Sequence, residues 1–449
     1  MQSREKLGSR LGFILLSAGC AIGCGNVWKF PWMCGQYGGG AFVLIYLICL
    51  VVMGLPVMTM EFAMGRASQR SPIGMYQALE PKGTKWHWHG HFAFAGNVLL
   101  MMFYTTVSGW MIYYFVNFLT GNNASLSFGN MLASPAVNVG YMAIVVALGF
   151  IVLAFGLQGG LERITKVMMV ALFVLMIGLA VYSCTLSGAK EGLSFYLVPD
   201  LSKINGSVIV AAMNQAFFTL SLGIGAMAIF GSYINKERSL MGESVNVIIL
   251  DTLAALLAGL IIFPACYTFD IAPDAGPGLL FSTMADVFNR MGNVGRVFGA
   301  LFFLFMTFAA MSTVLAVFEN ILAMVREKTG LSRCVGCVVC GVGILLLSLP
   351  CALGYNVWSG FVPFAEGTAF LDLWDFLVSN CLLPLGSLVF VLFCVSNKKV
   401  GWGWDNFMAE ANTGKGIKVK MWMKPVCAIV VPIIIAVVFV FGMINFSWR

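Results

Sequence analysis

Two apolar stretches of this 449-residue chain are interrupted by glycines and polar side chains, at residues 21–26 (AIGCGN) and 220–225 (LSLGIG). Both stretches are long enough to cross a bilayer, where an unwound backbone needs protein or solute to satisfy its freed N–H and C=O groups. A broken helix presents N–H groups and partial positive charge at one end, and carbonyls and partial negative charge at the other. The two breaks therefore predict a site for a zwitterion and a small cation.

The same glycines have a second interpretation, because small residues also allow membrane helices to pack closely. Close packing is the better explanation for a single glycine pair. Two matched breaks, flanked by Asn26, Thr219 and Ser221, favour a binding site instead.

The composition indicates which elements position these residues. The chain is 60% hydrophobic and 10% charged, with a mean hydropathy of +0.90, whereas soluble domains are about half apolar and a quarter charged. Because runs of about 20 apolar residues suffice to span a bilayer, we predict one transmembrane domain, 1–449, without a soluble domain. It contains eleven spans, at 10–36, 40–65, 92–120, 136–155, 161–185, 208–233, 241–270, 294–326, 334–353, 372–395 and 421–446.

The basic residues predict the orientation, because lysine and arginine are enriched on cytoplasmic flanks. With the N-terminus inside, twenty of them fall on cytoplasmic segments and five on the outside. An odd number of spans then places the C-terminus on the extracytoplasmic face of the inner (plasma) membrane. The net charge of +7 is thus a topology signal, and the lipid bilayer rather than nucleic acid is the expected large partner.

Two further patterns resemble metal sites. Residues 334–340 (CVGCVVC) lack a fourth ligand and begin an apolar span, where cysteine usually behaves as a small hydrophobe. Residues 87–91 (HWHGH) fall in a predicted cytoplasmic loop, for which a solvated face is the favoured interpretation. No nucleophile with a base and no phosphate loop is recognisable in the sequence, so we do not predict an enzyme.

Four motifs resemble the signatures of the neurotransmitter:sodium symporter family, and they occur in that family's order and spacing. They are residues 19–31 (GCAIGCGNVWKFP), 38–42 (GGGAF), 215–223 (QAFFTLSLG) and 371–376 (LDLWDF). The resemblance implies an all-α, leucine-transporter fold in which spans 1 and 6 are unwound at mid-membrane. It also implies inverted repeats at about 10–185 and 208–395, an extra span at 421–446, and Na⁺-coupled uptake by alternating access.

The resemblance implies two sodium sites. The first would use the Ala21 carbonyl, Asn26, Thr219 and Asp251, completed by the substrate carboxylate. The second would use the carbonyls of Gly19, Ile22 and Ala309 with the hydroxyls of Ser312 and Thr313. All these ligands are oxygens, although hydroxyls in an apolar span also tend to bond back to their own helix.

Asp251 departs from animal relatives, which generally have Asn there and recruit chloride. A carboxylate in an apolar span is costly unless it is paired, and a bound cation is the obvious partner. We therefore predict transport that does not require chloride. A carboxylate at a water-facing helix end is the alternative.

The substrate class depends on Gly23. Relatives that carry decarboxylated amines have an acidic residue there, whereas amino-acid carriers have glycine, which favours an α-amino acid. The resemblance places its carboxylate at the Cys24 and Gly25 N–H groups and the Tyr104 hydroxyl. It places the amine at the Ala21, Phe218 and Thr219 carbonyls and the Ser221 hydroxyl.

The side chain of the substrate would face a largely apolar wall without a buried countercharge. This predicts a neutral, hydrophobic or aromatic L-amino acid. The wall consists of Cys20, Leu100, Phe218, Ile224, Thr313, Val314 and Val317.

Two gates follow from the same resemblance. The outer gate is an ion pair above a two-residue lid, formed by Lys29 with Asp375 over Tyr104 and Phe218. A lysine lacks the bidentate geometry of arginine, so this pair should be loose. The cytoplasmic latch consists of Arg4 with Glu327, joined by Ser232 and Tyr233.

A proton-coupled carrier and a channel-like membrane protein remain alternatives. A channel should have a continuous polar lining, and the apolar pocket argues against one. The sequence leaves the preferred amino acid, the ion stoichiometry and the oligomeric state open.

Overall fold

The computed structural model describes residues 7–271, 280–364 and 366–444. Within these ranges the chain is helical without β-strands, apart from one isolated bridge between Arg238 and Lys415. Nine of the described helices are long and apolar enough to cross a membrane, and one bent pair forms a further span. The predicted all-α, multi-pass fold class is confirmed.

These ten spans and one shorter broken span, span 6, follow the predicted order. Spans 1 and 6 are each built of two helices, Arg10–Ala21 with Gly25–Gln36 and Gly206–Thr219 with Ala226–Gly231. The continuous spans 2, 3, 4, 5 and 7 are Gly40–Ser68, His87–Thr120, Pro135–Ala154, Leu157–Ser183 and Leu240–Thr268. Spans 8 to 11 are Gly292–Thr329, Arg333–Leu353, Phe370–Val395 and Met423–Ile444.

Short helices connect the spans. They are Pro72–Leu79, Phe128–Ala133, Ala189–Leu197, Ala285–Arg290 and Trp404–Ala411. The last of these is fixed by Glu410, which accepts from the buried Arg66 of span 2 at 2.6 Å.

Spans 3 and 8 form the centre of the molecule. In their most apolar windows 72% and 78% of the residues are buried, compared with 18% in span 11. Most side chains of these two spans therefore pack against other helices. Both spans carry residues that contact a broken span.

Span 3 begins five residues before its predicted start. His87, His89 and His91 therefore lie on a helix rather than in the predicted loop. His91 is exposed, in agreement with the predicted solvated face, whereas His89 is not. The His89 ring is buried, with Nδ1 2.8 Å from the Tyr76 hydroxyl. The helix Pro72–Leu79 packs here and provides the cover that sequence reasoning did not foresee.

Candidate functional site

Span 1 breaks after Ala21, where Ile22 adopts an extended conformation with ψ 98°. The two halves of the span are bent by 50°. The second half begins near Gly25, whose carbonyl accepts a hydrogen bond of 2.7 Å from the Gln215 side chain of span 6. The two broken spans are thus joined beside their breaks.

Span 6 breaks because three residues have left-handed backbone conformations, Ser221 (φ 51°), Gly223 (φ 93°) and Gly225 (φ 72°). A right-handed helix cannot continue through such residues. Gly223 also approaches span 10 so closely that a Cβ would lie 2.2 Å from the Leu383 carbonyl oxygen. Both the turn and the close packing require glycine at this position.

A small cavity lies between the two breaks, with free space for about one water molecule. Its lining comes from spans 1, 3, 6, 8 and 10, and consists of Cys20, Ala21, Gly25, Leu100, Tyr104, Phe218, Ser221, Thr313 and Leu383.

The Tyr104 hydroxyl lies against the start of the second half of span 1. The Cys24 N–H donates to it at 2.7 Å. A Cβ at Gly23 would lie 2.2 Å from this hydroxyl and 2.2 Å from Thr313 Oγ1. Glycine at position 23 therefore lets two polar side chains converge on the unwound backbone.

A first group of oxygens surrounds a fully buried carboxylate, and we call Asn26, Thr219 and Asp251 the Asp251 cluster. Asn26 Nδ2 donates to Asp251 Oδ1 at 2.8 Å and to its backbone carbonyl at 3.0 Å. The Thr219 hydroxyl donates to the same carboxylate at 3.2 Å, and the Tyr46 hydroxyl at 3.4 Å. All three partners are neutral, so the negative charge suits a cation.

A second group of oxygens joins spans 1 and 8. We call it the Thr313 cluster: the carbonyls of Gly19, Ile22 and Ala309 with the hydroxyls of Ser312 and Thr313. The Thr313 hydroxyl lies 3.2 Å from the Gly19 carbonyl and 3.4 Å from that of Ile22. Ser312 Oγ donates to the Ala309 carbonyl of its own helix at 2.8 Å and to Ile22 at 3.2 Å.

The back-bonding alternative applies only in part to these hydroxyls. Ser312 bonds to its own helix, whereas the acceptors of Thr313 all belong to span 1. Five uncharged oxygens from two helices therefore converge, which is the donor set that a hard cation prefers.

Three residues of the predicted wall, Ile224, Val314 and Val317, are not among those that line the cavity. The Cγ2 methyl of Ile224 lies beside Gly96 of span 3, and Val314 Cγ1 lies beside Gly149 of span 4. Val317 is buried in the core.

Sequence reasoning missed two groups at the site. Leu383 lines the cavity, and no local signal distinguishes it from other leucines of span 10. Asn97 donates to the Ile224 carbonyl at 2.8 Å, and an amide side chain in an apolar span was a usable signal. Glu61 of span 2 accepts a hydrogen bond from the Gly223 N–H at 2.6 Å.

An ion pair lies beside the cavity. Lys29 Nζ is 3.1 Å from Asp375 Oδ1 and donates to the Ser379 hydroxyl at 3.0 Å. The same ammonium lies 4.2 Å from the centre of the Phe218 ring. The pair thus rests directly on a residue of the cavity lining, and Lys29 is 14% and Asp375 35% exposed.

Of the predicted latch residues, Glu327 lies near the end of span 8, and Ser232 and Tyr233 follow the second helix of span 6. Glu327 Oε2 accepts from the Ser71 N–H at 2.7 Å, and Arg4 lies outside the described residues. The Tyr233 hydroxyl donates to Glu319 at 3.0 Å, and Ser232 Oγ donates to the Ile229 carbonyl at 2.6 Å.

Glu319 has a charged partner of its own. Arg333, at the start of span 9, approaches Glu319 Oε2 to 2.5 Å. Tyr233 therefore contacts an ion pair between spans 8 and 9.

Comparisons with known proteins agree with this architecture. The model of the sodium:neurotransmitter symporter family matches residues 4–138 and 125–449. A sodium-dependent transporter of Bacillus subtilis, YhdH, is 36% identical over 396 residues, 86% of each chain. A sodium-dependent transporter of Haemophilus influenzae is 34% identical over 463 residues, 98% of each chain.

One solved structure is also similar. It is the crystal structure of MhsT in complex with L-phenylalanine, with a TM-score of 0.88 and 36% sequence identity. The alignment covers 98% of this chain and 99% of the other.

Proposed function

Because the chain belongs to the sodium:neurotransmitter symporter family, we propose that it imports a neutral amino acid with a hydrophobic or aromatic side chain, coupled to Na⁺, by alternating access. The cavity between the two broken spans carries this proposal. Peptide groups of spans 1 and 6 reach it beside apolar side chains such as Leu100 and Leu383. An amino acid offers the matching chemistry, with two charges at one end and an apolar side chain at the other.

The charged end of the substrate would lie on the unwound backbone. N–H groups at the start of the second half of span 1 and the Tyr104 hydroxyl suit a carboxylate. Carbonyls at the end of each first half-helix and the Ser221 hydroxyl suit an ammonium group. The ligand complexed with MhsT, L-phenylalanine, has this chemistry.

Two sodium ions would bind at the Asp251 cluster and the Thr313 cluster, the first also in contact with the substrate carboxylate. Each ion entering down about 100 mV contributes roughly 2.3 kcal/mol, and a tenfold gradient adds about 1.4 kcal/mol. Two ions therefore suffice to drive accumulation of a neutral zwitterion over several orders of magnitude.

Asp251 supports transport without chloride. Its carboxylate supplies, inside the protein, a negative charge that offsets the bound sodium. A requirement for chloride would add a second anion to a cluster that already has one.

The gates are assigned by their position. Lys29 with Asp375, above Phe218, would close the extracytoplasmic side, and Glu327 with Arg4 would close the cytoplasmic side. The N-terminus would be cytoplasmic and the C-terminus extracytoplasmic, in the inner (plasma) membrane. Spans 1–5 and 6–10 would act as inverted repeats.

Reconstitution tests the function directly. Full-length protein in proteoliposomes with an inward Na⁺ gradient should accumulate radiolabelled neutral hydrophobic or aromatic L-amino acids. Accumulation should stop when choline replaces Na⁺ and continue when gluconate replaces chloride. Strict dependence on chloride would refute the assigned role of Asp251.

A proton-coupled carrier is a second candidate, favoured by the neutral hydrogen-bond partners of the buried Asp251 carboxylate. A proton can neutralise that carboxylate as a cation does. Uptake that continues in choline and follows an imposed pH gradient would support this candidate over sodium coupling.

A further inference from the structure

The carbonyl of Ile224 is satisfied from outside its own span. Ile224 lies between Gly223 and Gly225, both left-handed, so the helix cannot provide its usual donor. Asn97 Nδ2 of span 3 donates to this carbonyl at 2.8 Å. Asn320 Nδ2 of span 8 in turn donates to Asn97 Oδ1 at 3.3 Å. Since these amides are fully buried, they hold the break against the two central spans.

The side chain of Ile224 occupies a notch on the same span. A Cβ at Gly96 would lie 2.6 Å from Ile224 Cγ2 but 3.6 Å from Ile224 Cβ, and 3.7 Å from a methyl of Leu382. The notch therefore exists because residue 96 has no side chain. Only the Cγ2 methyl of Ile224 fills this notch.

The notch adjoins the cavity. Leu100 is four residues after Gly96 and shares its face of span 3, and Leu100 lines the cavity together with Ser221 and Leu383. Ile224 is fully buried, its Cγ2 methyl lies beside Gly96, and it is not among the residues that line the cavity. The side chain of Ile224 therefore takes up no room in the cavity.

We propose that Gly96 and Asn97 form a seat that keeps Ile224 out of the cavity and thereby sets how large a substrate side chain the site accepts. Asn97 fixes the backbone of Ile224, and Gly96 leaves room for its side chain. This inference rests on the proposed amino-acid transport. Neither residue contacts the substrate, so Asn97 is a positioning residue and Gly96 determines specificity indirectly.

Filling the notch tests the inference. Gly96→Ala forces the Ile224 side chain to move, and the cavity is the adjoining space. Na⁺-dependent binding of L-alanine, L-leucine, L-phenylalanine and L-tryptophan is measured on the purified full-length protein. Binding of the aromatic pair should weaken at least about tenfold, while L-alanine changes by less than about twofold, since even one methylene alters discrimination by 10–200-fold.

A second substitution checks the mechanism. The new Cβ clashes only with the Cγ2 methyl of Ile224, and alanine lacks this methyl. Gly96→Ala combined with Ile224→Ala should therefore restore aromatic binding. Asn97→Asp keeps the shape but loses the donor to the Ile224 carbonyl, and should reduce the same aromatic-to-alanine ratio. A double variant that does not recover would overturn the proposal.

A matched control separates specificity from general damage. Gly149→Ala brings a Cβ 2.7 Å from Phe318, a comparable clash between spans 4 and 8. It should lower thermal stability and leave the ratio of phenylalanine to alanine binding unchanged. Equal losses for all four amino acids in Gly96→Ala would refute the seat. Absence of Na⁺-dependent amino-acid binding in the wild type would instead refute the proposed function.

Discussion

The two oxygen clusters differ in how they attract a cation. The Asp251 cluster contains an ionisable carboxylate, held by neutral donors on spans 1, 2 and 6. The Thr313 cluster has only carbonyl and hydroxyl dipoles, from spans 1 and 8. A buried charge without a partner is costly, whereas dipoles can satisfy one another. The Asp251 cluster should therefore depend on its ion, and the Thr313 cluster should persist without one.

Removing the charge gives the largest expected effect. Asp251→Ala should weaken Na⁺ binding by about two orders of magnitude, because breaking a buried charged interaction costs roughly 3 kcal/mol. Na⁺ titration of amino-acid binding in chloride-free buffer measures the change. Asp251→Asn serves as a control, since it keeps an oxygen ligand, and its binding should improve when chloride is added. Wild-type Na⁺ affinity in Asp251→Ala would show that this cluster does not bind sodium.

Gly23→Ala tests the space between the clusters. The new Cβ would lie 2.2 Å from both the Tyr104 hydroxyl and Thr313 Oγ1, so the site must distort. We expect amino-acid binding to fall by more than about tenfold, as overpacking costs roughly 1–3 kcal/mol. Equilibrium binding of L-phenylalanine in saturating Na⁺ provides the measurement.

Removing the Tyr104 hydroxyl should partly relieve the clash with the new Cβ at residue 23. In Gly23→Ala combined with Tyr104→Phe, one of the two clashing oxygens is absent, and part of the folding stability should return without full binding. A Gly23→Ala protein with unchanged affinity would contradict the tight convergence at this point.

Thr313→Val tests the neutral cluster and should have a smaller effect. One hydroxyl is lost, which corresponds to about 1 kcal/mol and therefore to a weakening of Na⁺ affinity by roughly fivefold. Thr313→Ser retains the hydroxyl and should behave like the wild type. If Thr313→Val lost as much Na⁺ affinity as Asp251→Ala, the contrast between the two clusters would be wrong.

Lys29→Met lies outside both clusters and should have the smallest effect on ion binding. Its pair with Asp375 is partly exposed, and such pairs contribute about 0–1 kcal/mol. We expect faster dissociation of bound amino acid, by about two- to fivefold, with Na⁺ affinity preserved. Stopped-flow dissociation measures the rate, and Lys29→Arg, which allows bidentate pairing, should slow it. Unchanged dissociation rates in both variants would show that Lys29 is not part of the gate.

Much of the fold could be predicted from the sequence because its signals are local. The length of the apolar stretches predicted the spans. The residue types at 21–26 and 220–225 predicted the two breaks without knowledge of any contacting segment. The span boundaries depend also on neighbouring elements. Span 3 starts at His87 because a neighbouring helix covers its first turn, and that cover is not encoded in residues 87–91.

The site was predictable where the residues are on the broken segments or carry polar groups. Cys20, Ala21, Gly25 and Ser221, all on the broken segments, line the cavity. Ile224 is not among the lining residues, because its position depends on the left-handed turns around it and on the space beside Gly96. Asn97 was missed because its acceptor is a main-chain carbonyl, which every residue has.

The sequence by itself determined that helices cross a bilayer, that two of them break, and that oxygens and glycines gather at those breaks. Only the tertiary structure decided which groups meet, such as Asn26 with Asp251 and Thr313 with Gly19, which are 225 and 294 residues apart. The physical reason is that hydrophobicity and backbone strain are properties of a short segment. Contact between distant segments depends on how each helix is rotated and tilted against the others, and that follows from packing of the whole molecule.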